Sequence, residues 1–513
     1  MKMEFLLHSD WGLFVLFTLG ILFILVLAEV LLKLLRMHSH NTRRIVHILV
    51  GCLVCFSPFI FSSRLPVLVI AGTFIIVNVL AIRFRLIRSI HETDRISYGT
   101  VYFPVSFFIL VFWFWDKDPA ILLTSMLIMA FADPVASWVG ESRRHPLSFT
   151  ILTEKKSLQG STAMFVVAFI TAVLSMKVFR GFFDQPDIGW QTALIFGFFT
   201  AVYAAGAETI SHRGTDNLMV PVGAGVILDS FYNGSPELQM QLMLWMGITI
   251  LIAYLAFRTR TLTLSGAMGA WLLGTVIFGL GGPEWTIPVA VFFIFSSALT
   301  KVGKKHKKKL ETIFEKTGRR DIYQVFANGG IAMIATMAWH FFEPVWPESE
   351  VLWYLIFLTS VSAATADTWG TELGSFSRRD PLSIRTWKVV PMGTSGGLSI
   401  LGTLGAFAGA LLMAFTGKYS LLIFAGIDLS LPLVLLIAAG GLLGALVDSL
   451  VGATLQAQYR CPVCKKITEK TLHCGRENIP LVRGKKFINN DVVNFCNTLA
   501  GGLLGALLYL ICY

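Results

Sequence analysis

The chain has 513 residues, 55% of them hydrophobic and only 14% charged, with 41 Phe and 13 Trp. A soluble domain carries about 25% charged residues, so this composition excludes a soluble globular enzyme. The formal charge of +11 does not read as a nucleic-acid signal, because of where the basic residues lie.

Sixteen apolar segments follow one another, near residues 12–33, 45–61, 66–82, 98–115, 119–139, 160–179, 190–210, 217–231, 239–256, 264–281, 285–300, 325–342, 350–370, 395–415, 430–452 and 492–512. Runs of this length are long enough to cross a bilayer as helices. The eighth is short, and the stretch 419–427 reads as a loop or a re-entrant piece. When the connections are assigned alternately to two sides, one side collects 36 of the 42 Lys and Arg. The other keeps Lys2, Arg64, Lys117, Lys177, Arg180 and Lys418. Positive loops stay cytoplasmic, so both termini are expected outside, with the basic loops inside, in a bacterial plasma membrane. The first segment reads as a retained helix, since no small-residue cleavage site follows it. The expected fold is an all-α polytopic membrane protein of about 16 transmembrane helices.

The two halves repeat. Ala132-Asp133-Pro134, Gly140 and Ser142-Arg143-Arg144-His145-Pro146-Leu147-Ser148 are echoed by Ala366-Asp367-Thr368, Gly374 and Ser377-Arg378-Arg379-Asp380-Pro381-Leu382-Ser383. Lys155-Lys156-Ser157-Leu158-Gln159-Gly160 then matches the stretch from Lys388 to Ser395-Gly396-Gly397. Glu208 and Asp448 close corresponding segments; Asp216-Asn217 and Asn490-Asp491 open the next. The spans therefore form two parallel repeats of about eight, dividing into domains at 1–235 and 236–513. Parallel repeats also occur in transporters.

Asp133, Glu208, Asp216, Asp367, Glu372, Asp448 and Asp491 fall at the helix ends on the basic side. Carboxylates facing loops dense in Lys and Arg suit Mg²⁺ and a polyphosphate, because Mg²⁺ takes one or two carboxylates and then phosphate oxygens. Arg and Lys neutralise phosphoryl charge, and Gly-rich helix starts offer amides to anions. No G-x-x-x-x-G-K-[ST] motif is present, which argues against a P-loop. His47 stands as a base, a phosphate ligand or a structural residue. Arg319, Arg320, Asp321, Gln324 and Asn328 carry polarity into a span, where an Asn needs a partner or a polar cavity. Cys461, Cys464, His473 and Cys474 have the spacing of a small structural zinc clip in a cytoplasmic loop.

These motifs carry a resemblance. Arg43-Arg44-x-x-His47-x-x-x-Gly51, Asp133-x-x-Ala136-Ser137-x-x-Gly140, Lys156-Ser157-x-x-Gly160-Ser161 and Glu208-x(7)-Asp216-Asn217-x-x-x-Pro221 make the first half similar to the phytol kinase and dolichol kinase group of the phosphatidate cytidylyltransferase superfamily. Ala132 stands where that group has Gly. The second half resembles the phytyl-phosphate kinase family of integral membrane proteins. It does so through Leu264-Ser265-Gly266-Ala267, Ser296-Ser297 with Lys301, and Gly318-Arg319-Arg320-Asp321 leading to Gln324-Val325-x-Ala327-Asn328-Gly329-Gly330. Ala366-Asp367-Thr368-x-x-x-Glu372-Leu373-Gly374, Gly393-Thr394-Ser395-Gly396-Gly397 and Asn490-Asp491-x-x-Asn494 complete the match.

The resemblance implies two successive phosphorylations, of an isoprenoid alcohol and then of its monophosphate, by a nucleoside triphosphate with CTP favoured. It implies Mg²⁺ on Asp133 and Asp216 in one half and on Asp367, Asp491 and Asp448 in the other. Phosphates would meet His47, Arg143, Arg144, Lys155, Lys156, Ser157 and Gly160, and in the second half Arg319, Arg320, Lys388, Ser395, Gly396 and Gly397, while Glu208 positions the hydroxyl or acts as base. The rival readings are a cytidylyltransferase that forms a CDP-lipid, and a lipid transporter or flippase.

Overall fold

The apolar segments become helices, because a backbone without water must satisfy its own hydrogen bonds. The structure, a computed structural model, describes residues 9–34, 39–84, 97–142, 146–152, 154–307 and 319–512. It divides into two compact units, Met1–Gln239 and Met240–Tyr513.

The first unit contains α1 (Asp10–Leu34), α2 (Ser39–Cys55), the single turn α3 (Ser57–Ile60), α4 (Arg64–Phe84), α5 (Gly99–Phe114), α6 (Pro119–Ser142), α7 (Leu158–Phe182), α8 (Trp190–Ile210) and α9 (Asp216–Tyr232). The hairpin β1 (Ser148–Ile151) and β2 (Glu154–Ser157) joins α6 to α7. The next helix, α10 (Pro236–Arg258), begins at the boundary and runs into the second unit. There follow α11 (Leu264–Lys307), α12 (Ile322–Phe342), α13 (Glu350–Gly374), α14 (Ile400–Ala425), α15 (Leu431–Thr454) and α16 (Asn490–Cys512). Strands β3 (Leu382–Ser383) and β4 (Gly397–Leu398) pair between α13 and α14. Strands β5 (Gln458–Arg460), β6 (Ile467–Thr468) and β7 (Leu481–Arg483) form a small sheet, in the order β6-β5-β7, between α15 and α16.

Among the described residues, 12 helices are long and apolar enough to cross a membrane. The chain is a multi-pass integral membrane protein. All sixteen predicted segments coincide with helix. The tenth and eleventh form the single 44-residue α11, broken at Gly282, whose φ of +73° suits glycine. The stretch 419–427 is neither loop nor re-entrant piece for most of its length. It continues α14 to Ala425, and Gly426 then closes the helix in the left-handed conformation.

Each unit is built around one deeply buried helix. α6 packs against α2, α7 and α9, and α13 against α14, α15 and α16. The repeat is visible in matching details. Ser157 caps α7 by accepting from the Gly160 amide, and Ser399 caps α14 by accepting from Gly402. A Cβ on Gly160 would lie 3.0 Å from the Ala136 carbonyl; one on Gly402 would lie 3.0 Å from the Gly370 carbonyl. Ala136 and Gly370 stand three residues beyond Asp133 and Asp367. Lys177 binds Asp187 at 2.5 Å and the Ile188 carbonyl at 2.7 Å, and Lys418 binds Asp428 and the Leu429 carbonyl in the same way.

This geometry corrects one equivalence expected from the sequence. The counterpart of Ser157 and Gly160 is Ser399 and Gly402, not Ser395-Gly396-Gly397. The second connection is longer, 35 residues from Asp367 to Gly402 against 27 from Asp133 to Gly160. Its additional residues form a loop in which Gly396, at φ +78°, packs against Ala453 and the Ser449 carbonyl of α15.

The opposite ends of α6, α7 and α9 carry a buried ionic lock. Arg180 pairs with Asp118 and lies over the Tyr232 ring at 5.1 Å, while Lys117 binds Asp229 at 2.8 Å. Asp118, Arg180 and Asp229 are all buried. Basic residues that served as topology markers thus tie the helices together, leaving the other ends free for chemistry.

Candidate active site

In the first unit Glu208 and Asp216 meet the hairpin through Lys156. Alternation along β2 sends Glu154 and Lys156 to one side and Lys155 to the other. Lys156 Nζ donates to Glu208 Oε1 at 2.6 Å and to its backbone carbonyl at 3.1 Å. Glu154 Oε1 lies 3.2 Å from His212 Nδ1 and accepts from the Arg213 amide at 3.0 Å. Lys155 is exposed. Burial draws the Lys156 pKa down, but Glu208, Asp216 and Glu154 draw it up by more, leaving it above the ordinary lysine value. Asp216 Oδ1 accepts from the Asn217 amide and side chain, both at 2.9 Å.

Helix α2 lies along α6 through residues 44, 47 and 51, which share one helical face. Arg44 donates to Ser137 at 2.8 Å and pairs with Glu141 at 2.5 Å. His47 Nε2 donates to the Met129 carbonyl at 3.1 Å, with its ring edge-on to Phe103. Gly51 permits the approach, because a Cβ there would come 2.6 Å from Ala130 Cβ. Ser137 and Met129 lie one turn to either side of Asp133 on α6, so His47 anchors α2 beside that acid. Arg143 and Arg144 lie outside the described residues.

In the second unit the predicted residues line a cavity of about 360 Å³. Its walls carry Asp367 and Glu372 from α13, Asp448 from α15, Arg320 before α12, and Gln324 and Asn328 on α12. Ser395, Gly396 and Gly397 contribute from the loop before α14. Thr300 of α11 donates to Glu372 at 2.9 Å. Asp321 caps α12 by accepting from the Gln324 amide at 3.1 Å, and Asn328 donates to the Gln324 carbonyl at 3.0 Å. Arg320 is seated by backbone bonds to Thr261 and Thr263, where Gly266 is needed because a Cβ would fall 2.2 Å from the Arg320 carbonyl. Burial lowers the Arg320 pKa while Glu372 opposes that, and a guanidinium remains charged at neutral pH.

Three expected residues are not on this wall. Asp491 is buried but lies outside the cavity lining; Asn490 and Asn494 line it instead. Positions i and i+4 share a helix face, whereas i+1 is rotated by about 100°. Arg319 and Lys388 are exposed and also absent from the lining, whereas Arg379 is part of it. Sequence reasoning missed Glu469, from the loop after β6, which lines the cavity and accepts from Ser395 Oγ at 2.8 Å. Only its neighbourhood to the cysteine cluster marked that segment.

Cys461, Cys464, His473 and Cys474 come together, with one ligand atom from each lying within 4.8 Å of the others. The Cys464 amide above all, then His473 and the Val463 amide, outweigh burial and bring the Cys461 thiol down to about 6.

Residues 247–502 match the family described as integral membrane protein DUF92. Protein PGR of Arabidopsis thaliana is 31% identical over 279 residues, covering 52% of this chain and 95% of that protein. The chain belongs to this family of integral membrane proteins. It is also similar to a phytol kinase of Synechocystis sp. (strain ATCC 27184 / PCC 6803 / Kazusa), at 31% identity over 203 residues, 39% of this chain and 83% of the kinase. The probable phytol kinase 2, chloroplastic, of Glycine max is 26% identical over 189 residues, 36% of this chain and 63% of the relative. No solved structure matches the chain. Within this DUF92 protein, the matched residues contain every wall of the second cavity described above.

Proposed function

We propose that the protein is a membrane isoprenoid kinase with two sites. The first unit phosphorylates a prenol, and the second converts the monophosphate to the diphosphate. The similarity to phytol kinases supports phosphorylation of an isoprenoid alcohol. The observation that carries the two-site reading is the repeated constellation: a helical Asp (133 or 367) beside a Ser-capped, Gly-lined helix start, with a second acid (208 or 448) from the next long helix.

The second cavity fits a hard divalent cation. Asp448 Oδ1 is buried without a hydrogen-bond partner, and Asp367 and Glu469 line the same cavity, an oxygen-rich set of the kind Mg²⁺ accepts. Asp367, Asp448 and Glu469 would hold it there, and Asp133 and Asp216 in the first unit; bound Mg²⁺ would neutralise charge on the phosphates. Arg320 and Arg379 face the polyphosphate in the second unit, and Lys156 in the first, held in place by Glu208. The substrate oxygen attacks the terminal phosphorus, the bond to the nucleoside diphosphate breaks, and the substrate proton, where present, passes to a carboxylate. Catalysis of this kind rests on positioning and charge. CTP is the favoured donor, arriving at the ends of the helices that carry the basic loops while the lipid enters from the bilayer.

The test is product analysis with purified full-length protein, several prenols and all four nucleoside triphosphates. Asp133→Asn should abolish prenol phosphorylation while supplied prenyl monophosphate is still converted. Asp367→Asn should accumulate the monophosphate. Equal loss of both steps in either variant refutes the two-site assignment. Transfer of a base label rather than the γ-phosphate to lipid would show cytidylyl transfer instead.

A further inference from the structure

The loop between α15 and α16 folds as a three-stranded sheet over a very small apolar core. Its own buried apolar cluster is Ala457, Tyr459, Cys461 and Ile479, and a core this small does not stabilise a lobe without a staple. Two tight turns project from it toward each other. In the first, Cys461 and Lys466 are bonded across the turn at 3.0 Å, and the Lys465 amide donates to the Cys461 carbonyl at 2.9 Å. In the second, His473 and Arg476 exchange two backbone bonds at 3.0 Å, with Cys474 at φ +50° and Gly475 at φ +72° between them.

A two-residue hairpin with both φ values positive is ordinary for Gly and Asn but strained for Cys. Here it turns adjacent side chains to the same side, so that Cys474 Sγ lies 3.2 Å from His473 Nδ1. Cys464 Sγ lies 3.6 Å from the same nitrogen. Ligands bound 2.0–2.3 Å from a tetrahedral zinc lie roughly 3.5–3.8 Å apart. The adjacency of His473 and Cys474, unusual in sequence, is therefore compatible with one metal.

Glu469 sits on the same loop, between Cys464 and His473, and reaches Ser395 and the cavity. We propose that Cys461, Cys464, His473 and Cys474 bind one Zn²⁺ in a closed structural site, and that this metal holds Glu469 in the carboxylate cavity of the second unit. Four protein ligands leave no open position, so the metal is a staple rather than a catalyst. The metal site stands on its own geometry; its consequence for phosphorylation rests on the kinase reading.

Full-length protein in detergent should contain about one zinc per chain, and the Cys464→Ser/Cys474→Ser variant should contain none. Equal zinc in both overturns the site. Hydrogen exchange of residues 458–483 should rise in that variant while α15 and α16 keep their protection; unchanged exchange in the loop overturns the positioning role. Glu469→Gln should keep its zinc and its protection yet slow conversion of prenyl monophosphate on the order of 10- to 100-fold. Zinc and exchange as expected, with no conversion of monophosphate by the unaltered protein, would refute the kinase reading and leave the staple standing.

Discussion

The pair Lys156–Glu208 offers a test that separates holding the fold from doing chemistry. The side chains are 16% and 10% exposed, with Nζ and Oε1 2.6 Å apart. At an effective dielectric near 20, charges at that distance attract by about 6 kcal/mol, most of it offset by desolvation. Removing one partner strands the other as an uncompensated buried charge, at a cost of about 3–5 kcal/mol. Lys156→Met and Glu208→Gln should therefore each lower the melting temperature of the detergent-purified protein by roughly 6–20 °C, at 2–4 °C per kcal/mol for a unit of this size. The double variant leaves no stranded charge and should recover most of that loss. Prenol phosphorylation should stay absent in all three, because the cation facing the phosphates is gone or misplaced. The pH dependence has a definite sign. Lys156 titrates above the ordinary lysine value, so the stability it contributes is complete below about pH 10.4 and is lost as pH rises through the raised value. The gap between unaltered protein and Lys156→Met should be flat from about pH 7 to 10 and close only as pH rises further, through the raised value. Strictly additive melting shifts would refute the coupling; activity regained by the double variant would refute the phosphate-binding role.

Two further outcomes are expected. Gly51→Ala places a methyl 2.6 Å from Ala130 Cβ, and overpacking of this kind costs about 1–3 kcal/mol; a melting point equal to that of the unaltered protein would mean that α2 is not held against α6 as described. Arg379→Ala should slow conversion of prenyl monophosphate substantially, whereas Lys388→Ala should leave its rate within about twofold, since exposed side chains away from a site are close to neutral. The reverse order would place the phosphates outside the cavity.

The match between predicted segments and helices has a simple cause. In a bilayer, hydropathy and backbone satisfaction act along the chain itself, so length and apolar character are enough to locate the long helices. The doubling was legible too, because Asp133 and Asp367 stand in similar local strings. The assignment of residues to the cavity was less so. Asp491 reads as the obvious ligand beside Asn490, yet α16 turns Asn490 and Asn494 to the wall. Gly396-Gly397 looked like the partner of Gly160 because composition matched, whereas contact with α13 selects Gly402. Lys388 and Arg379 were indistinguishable as basic loop residues until the loop folded.

By itself, then, the sequence determined a duplicated, multi-pass helical membrane protein with its acids and bases at helix ends, because bilayer solvation and helix periodicity are local rules. Which of those groups converge was decided only by the tertiary structure. Glu469 and Asp367 are separated by about a hundred residues and share one cavity, which the cysteine-rich loop reaches through the bond from Ser395 to Glu469. Arg180 began as a topology marker and became a buried lock with Asp118, while the half-exposed Lys117 reaches the buried Asp229. A charge has no preferred partner along the chain, and it acquires one only when helix packing removes the water around it.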